Sequence, residues 1–177
     1  MNRVIALTVI TVCLDITTGV SVAQSQDHRA VLRIHGGIMQ PVTSEKFRDH
    51  LAAGVNVGMG IGLVASEQEN VRVDLYASLD FSKAYRKSDL NVVTAFVNAR
   101  FAFVPNKHAS PYVALGAGWM RLSKGTASDN GLGGHVSIGL AIAVHQETDF
   151  LIELDYLVGA AESNAPQFAQ LRIGFVL

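Results

Sequence analysis

Eight times along this chain, apolar and polar residues alternate with a period of two for about ten residues at a stretch. Successive side chains of a strand point to opposite faces, so each such run is a strand with one oily face and one polar face. The stretch NVRVDLYASLDFS (70–82) sets Val71, Val73, Leu75, Ala77, Leu79 and Phe81 against Arg72, Asp74, Tyr76, Ser78, Asp80 and Ser82. The same pattern runs through 30–39, 54–65, 92–104, 111–122, 135–145, 150–158 and 168–177. These lengths lie close to what a tilted strand needs to cross a membrane. The alternation therefore implies a sheet with one buried and one lipid- or water-facing side, and leaves open which is which.

The polar faces decide between the two. They are dominated by Gly, Ala and Ser, with a limited set of charges: Arg33, Arg72, Arg100 and Arg172 against Asp74, Asp80, Glu153 and Asp155. The lysines fall elsewhere, at Lys46, Lys83, Lys87, Lys107 and Lys124. A water-washed face would carry Lys, Glu, Thr and Gln in abundance. Small residues with balanced arginines and carboxylates suit a narrow lumen filled by side chains. No charge falls on an oily face in mid-strand, where contact with lipid would cost about 2–4 kcal/mol. The expectation is an all-β, about eight-stranded antiparallel up-and-down transmembrane barrel, its oily residues turned to lipid and its eight charges forming a network inside. The alternative is a soluble lipocalin-like ligand-binding barrel with the faces reversed.

The connections point the same way, alternating long (QPVTSEKFRDHLA, KAYRKSDLN, SKGTASDNGLG, AAESNAPQ) with short (SEQEN, PNKHAS, QETD). Outer-membrane barrels have short periplasmic turns and longer outer loops. Within the first long connection, SEKFRDHL (44–51) carries a helical pattern of a turn or two, with Ser44 as a cap and Phe47 and Leu51 on one face. Aromatic residues near strand ends, namely Phe81, Tyr85, Phe101, Phe103, Trp119, Phe150, Tyr156, Phe168 and Phe175, are candidates for interfacial girdles.

The first 23 residues have a different character. Arg3 precedes an apolar core from Val4 to Leu14, and Ser21–Ala23 supplies the small residues that a signal peptidase reads. The expected organisation is a signal peptide over 1–23 and a barrel domain over 24–177; the apolar run is too short for an anchor helix spanning a bilayer. Cys13 is the only cysteine and falls inside that segment, which removes disulfides and thiolate chemistry from the mature domain. A net charge of −1 offers nothing to nucleic acid.

SPYVALGAGWMRL (110–122), LIELDYLVGA and the closing AQLRIGFVL resemble strands of small bacterial outer-membrane barrels, the OmpA-type transmembrane domain and the OmpX- and OmpW-like group. That group usually closes on Phe or Trp, whereas this chain ends in Leu177 with Phe175 two places earlier. The resemblance implies a Gram-negative outer membrane as the location and outer-membrane lipid and lipopolysaccharide as surroundings. It also implies the barrel-assembly machinery as a partner in biogenesis, and outer loops as the place for any extracellular ligand. It implies no single activity, and a structural or surface-interaction role follows with no cofactor.

Chemistry has one candidate. His135-Val-Ser137 resembles the His-x-Ser of outer-membrane lipid A deacylases, with Glu147 or Asp149 as a third member. A hydroxyl nucleophile needs a base within hydrogen-bond reach and a carboxylate that orients it. That family continues with an Asn-containing run, where Ile138-Gly139 stands here. His35, His135 and His145 share the inward parity, but some ten residues of strand put about 30 Å between the latter two, so no common metal site is expected. A channel for small solutes is the remaining alternative. An eight-stranded interior is only wide enough for its own side chains, which argues against an open pore.

Overall fold

The structure, a computed structural model, describes residues 29–42, 53–84, 89–103, 108–145, 148–160 and 166–177. The signal peptide expected over 1–23, the helical pattern at 44–51, Tyr85 and Glu147 lie outside the described residues. The eight alternating runs form eight strands: β1 (Ala30–Pro41), β2 (Gly54–Glu67), β3 (Val71–Ala84), β4 (Leu90–Phe103), β5 (Ala109–Lys124), β6 (Ala127–His145), β7 (Thr148–Ala160) and β8 (Gln167–Val176). Each pairs antiparallel with its chain neighbour, and β8 returns to pair with β1. Closure leaves the sheet no long free edge, as a strand-built wall in hydrocarbon requires.

The register fixes how steeply the strands lean. Following paired residues from Ile34, one path runs through Met59, Leu79, Ala95, Trp119 and Leu132 to Ala160 on β7. The opposite path runs through Phe175 to Phe150, also on β7 and ten residues away from Ala160. That stagger corresponds to a strand tilt of roughly 40° and an interior only wide enough for side chains. We call the end carrying the start of β1 and the end of β8 the lower end; the β1–β2 connection lies at the upper end.

The oily parity faces outward. Ile34, Val57, Ile61, Leu79, Val97, Leu115, Ile138, Leu154 and Ile173 are all exposed. Phe81, Trp119 and Tyr156 stand near the top of this band, and Phe101, Phe103, Phe150 and Phe175 near its base. Val71, opposite Phe103, and Phe81 lie about ten residues apart on β3. At about 3.3 Å per residue and a tilt of roughly 40°, that separation gives an apolar band about 25 Å tall, the height expected of a membrane barrel.

Two features differ from the sequence expectation. The stretch 123–133 is not a long loop: β5 and β6 continue through it and meet at a two-residue turn, Gly125–Thr126. Asp129, within that stretch, is therefore a strand residue paired with Leu122. Of the upper connections, only 42–53 is much longer than the lower ones at 68–70, 104–108 and 146–147. Much of the length read as loop is strand continuing past the apolar band. Phe168, read as a girdle residue, points inward and is 1% exposed.

Candidate functional site

The residues with chemistry converge in the lumen, which has three layers. At the lower end Val31, Val64, Ala102, Tyr112, Ala114, Ala141, Leu151 and Val176 form an apolar cluster. At the upper end Met39, Ala84, Leu90, Val92, Phe96, Met120, Leu157 and Phe168 form another. The charges lie between. Sequence reasoning treated the inward face as small and charged throughout and missed both plugs. Their signal was present in the inward parity of the strand ends, for example Val31 and Met39 on β1 and Leu151 and Leu157 on β7.

Seven of the eight charged residues expected inside are buried and Arg72 is part-buried, and they form three groups rather than one network. In the largest, Glu153 Oε1 accepts from Arg33 Nη2 at 2.8 Å and from Arg172 Nη1 at 3.3 Å, while Glu153 Oε2 accepts from the Tyr112 hydroxyl at 2.9 Å. Arg172 also donates Nη2 to Asp155 Oδ2 at 2.8 Å and Nε to Gln170 Oε1 at 2.7 Å. Arg33 donates to the Tyr76 hydroxyl at 3.0 Å, its guanidinium carbon 5.6 Å from the ring centre. The second group is Asp74, which accepts from Arg72 Nε at 2.7 Å and from Arg100 Nε at 2.7 Å. The third is His35 Nε2 with Asp80 Oδ1 at 2.5 Å.

Each buried carboxylate thus has a donor and each arginine an acceptor, as charges removed from water require. Register explains the grouping. Asp74 lies directly opposite Arg100 and Glu153 directly opposite Arg172, so the strand pairing itself sets the ion pairs side by side. Glycine makes the remaining room. A Cβ on Gly116 would strike the Asn98 amide oxygen and come within 2.5 Å of His135 Nε2, so only glycine leaves space for that ring.

The candidate hydrolytic residues are not arranged as a relay. His135 Nδ1 lies 2.5 Å from Asp155 Oδ1, and Nε2 lies 2.6 Å from Asn98 Oδ1. Asn98 Nδ2 in turn donates to the Tyr76 carbonyl at 3.2 Å, which fixes the amide oxygen toward the ring. Both imidazole nitrogens therefore face acceptors, and neither is directed at Ser137. The ring stacks on Phe96 with centroids 5.5 Å apart. Ser137 is 2% exposed and its hydroxyl has no hydrogen-bond partner among the described residues. Its row partners Ala114 and Asp155 enclose it within the lumen, away from the outer wall. His145 ends β6 at the lower rim and is exposed, far from His135 along the same strand. Among the described residues no three His, Cys, Asp or Glu side chains gather as metal ligands.

No protein-family model matches the chain, and no curated protein sequence matches it. Solved structures do. Neisserial surface protein A superposes with a TM-score of 0.70 at 15% identity, over 86% of this chain and 99% of that one. The N-terminal β-barrel domain of Pseudomonas aeruginosa OprF gives 0.52 at 14% identity, over 85% of this chain and 100% of that one. The outer membrane enzyme PagL gives 0.52 at 11% identity, over 83% of this chain and 98% of that one. At these identities the likeness concerns the fold, which is that of the small eight-stranded outer-membrane barrels.

Proposed function

We propose that this chain is an integral protein of a bacterial outer membrane, with its upper end outside the cell and a structural or surface-interaction role. The single observation carrying this reading is the inverted polarity of the wall. A belt of exposed Val, Leu, Ile and Met surrounds a lumen whose charges are paired with one another. In water that belt would be an exposed apolar surface encircling the molecule, far larger than a soluble monomer carries; in lipid it needs no cover. The lumen is filled by two apolar plugs and an ion-pair layer, which favours a closed barrel over a channel. Recognition of an extracellular ligand falls to the upper connections and the β5–β6 hairpin. Surrounding lipid, lipopolysaccharide and the barrel-assembly machinery are the partners this reading calls for.

Electrophoretic mobility tests it. The mature chain folded in detergent should migrate differently with and without boiling. The absence of a shift, with solubility in plain buffer, would turn the faces around and make the protein a secreted soluble barrel. If the shift is found, loop deletions that abolish adhesion or serum resistance of the parent cell would support a surface role.

A further inference from the structure

We propose that the outer wall of β5–β7 holds one lipid of the outer leaflet, its phosphate-bearing headgroup at Arg121 and one hydrocarbon chain in a groove beneath Asn130. The proposal rests on the membrane reading above, with the upper end outermost. Arg121 is exposed and lies on the outward parity of β5, two residues above Trp119. Its cross-strand neighbours are Val93 and the exposed Asn130. Among the described residues it has no ion-pair partner, while Lys83, the other cation at the upper rim of the outer wall, bonds Asp89 at 2.9 Å. The corresponding outward positions on other strands are uncharged: Gln40 on β1, Val55 on β2, Val158 on β7 and Gln167 on β8. A guanidinium at the top of an apolar band, over a tryptophan, faces the layer where lipid phosphates lie, and it binds phosphate with directed hydrogen bonds.

The groove provides the second half. It has a volume of about 370 Å³ and is lined by Leu132, Gly133, Gly134, His135, Val136, Tyr156 and Val158. Leu132 is two residues below Asn130 on β6 and pairs with Trp119, so the groove begins where the headgroup contact ends. Its floor is Gly134, which pairs with Ala117 on one side and Val158 on the other. No Asp, Glu, Lys or Arg lines it, and the two ring nitrogens of His135 are turned away into the lumen, onto Asp155 and Asn98. A cation at the rim above an apolar furrow running into the band is complementary to one amphiphile with an anionic head. Neither a free anion nor a second protein surface calls for both parts.

The test uses the full barrel purified in detergent and native mass spectrometry with dimyristoylphosphatidylglycerol as the probe. One lipid should stay bound, in preference to the phosphatidylcholine of the same chain length. Arg121→Ala should lower its retention about tenfold, the effect of one charge-assisted contact. Gly134→Leu, which fills the groove from outside the lumen, should lower it similarly, and Lys124→Ala on the hairpin tip should leave it unchanged. Inorganic phosphate bound as well by the Gly134→Leu barrel as by the parent, with no lipid retained by either, would reduce the site to an anion contact and overturn the proposal. So would a dimer of the parent that Gly134→Leu dissolves without altering lipid retention, since the groove would then be an interface between copies. A boiling shift with equal lipid retention in all variants removes the site alone; no boiling shift removes the membrane reading beneath it.

Discussion

Glu153 is the residue on which the lumen depends most. It is 1% exposed, accepts from Arg33, Arg172 and Tyr112, and lies at the centre of the largest ion-pair group. Removing one member of a buried charge pair costs about 3–5 kcal/mol, because the partners remain buried without their counter-charge. Glu153→Ala should therefore lower unfolding stability in lipid vesicles by about 3–5 kcal/mol, followed in urea through the fluorescence of Trp119, the only tryptophan. Lys124→Ala, at an exposed strand end beside the turn, should stay within about 0.5 kcal/mol of the parent. Equal losses in the two variants would sink the assignment of a buried network. That these residues share one face was legible from parity, and that the face is the inner one from its small residues and balanced charges. Which arginine meets which carboxylate was not, because partners such as Arg33 and Glu153 are 120 positions apart and meet only through a register that closure of the barrel sets.

Element boundaries show where sequence patterning loses its hold. Alternation is enforced where one face meets lipid and the other a packed lumen, and there the strands were readable to within a few residues. Above the band both faces of a strand meet water, the alternation relaxes, and SKGTASDNGLG reads as a loop although the β5–β6 ladder runs through it. The turn carries a backbone signature instead. Gly125 has φ of 59° and is the first of two turn residues, the position where a type II′ hairpin takes glycine. A Cβ there would meet nothing within 4 Å, so any penalty comes from the backbone alone. Gly125→Val should destabilise the tip by roughly 1–2 kcal/mol, the cost of holding a branched residue at positive φ. Hydrogen exchange should show this as faster exchange of amides in Ser123–Asn130, with the band unaffected. Unchanged protection at the tip would mean that the flanking ladder, not the turn, fixes the hairpin.

On the scale of the whole molecule the fold is two nested arrangements, an apolar belt outside and three stacked layers inside, and each predicts a distinct failure. Outside, the cost of a charge should follow depth. Ile138 is 58% exposed in the wall of β6, whereas Val42 lies just beyond the upper end of β1. Ile138→Arg should cost about 2–4 kcal/mol and Val42→Arg about 0–1 kcal/mol in reversible unfolding from phospholipid vesicles. Equal costs would place the belt in water. Inside, the upper plug, the ion-pair layer and the lower plug lie in series along one narrow bore, so the tightest layer limits passage. Phe168→Ala should lose about 3–5 kcal/mol of stability, as the emptied volume in the upper plug is shared with Met39 and Leu157. It should nonetheless give no steady current across a planar bilayer, since Glu153, Arg33 and Arg172 still bridge the bore below and Leu151 and Tyr112 close it further down. A steady single-channel conductance from Phe168→Ala alone would show that the upper plug is the sole seal. The ion-pair layer would then be a conducting filter, and a solute channel would displace the closed barrel as the reading of this protein.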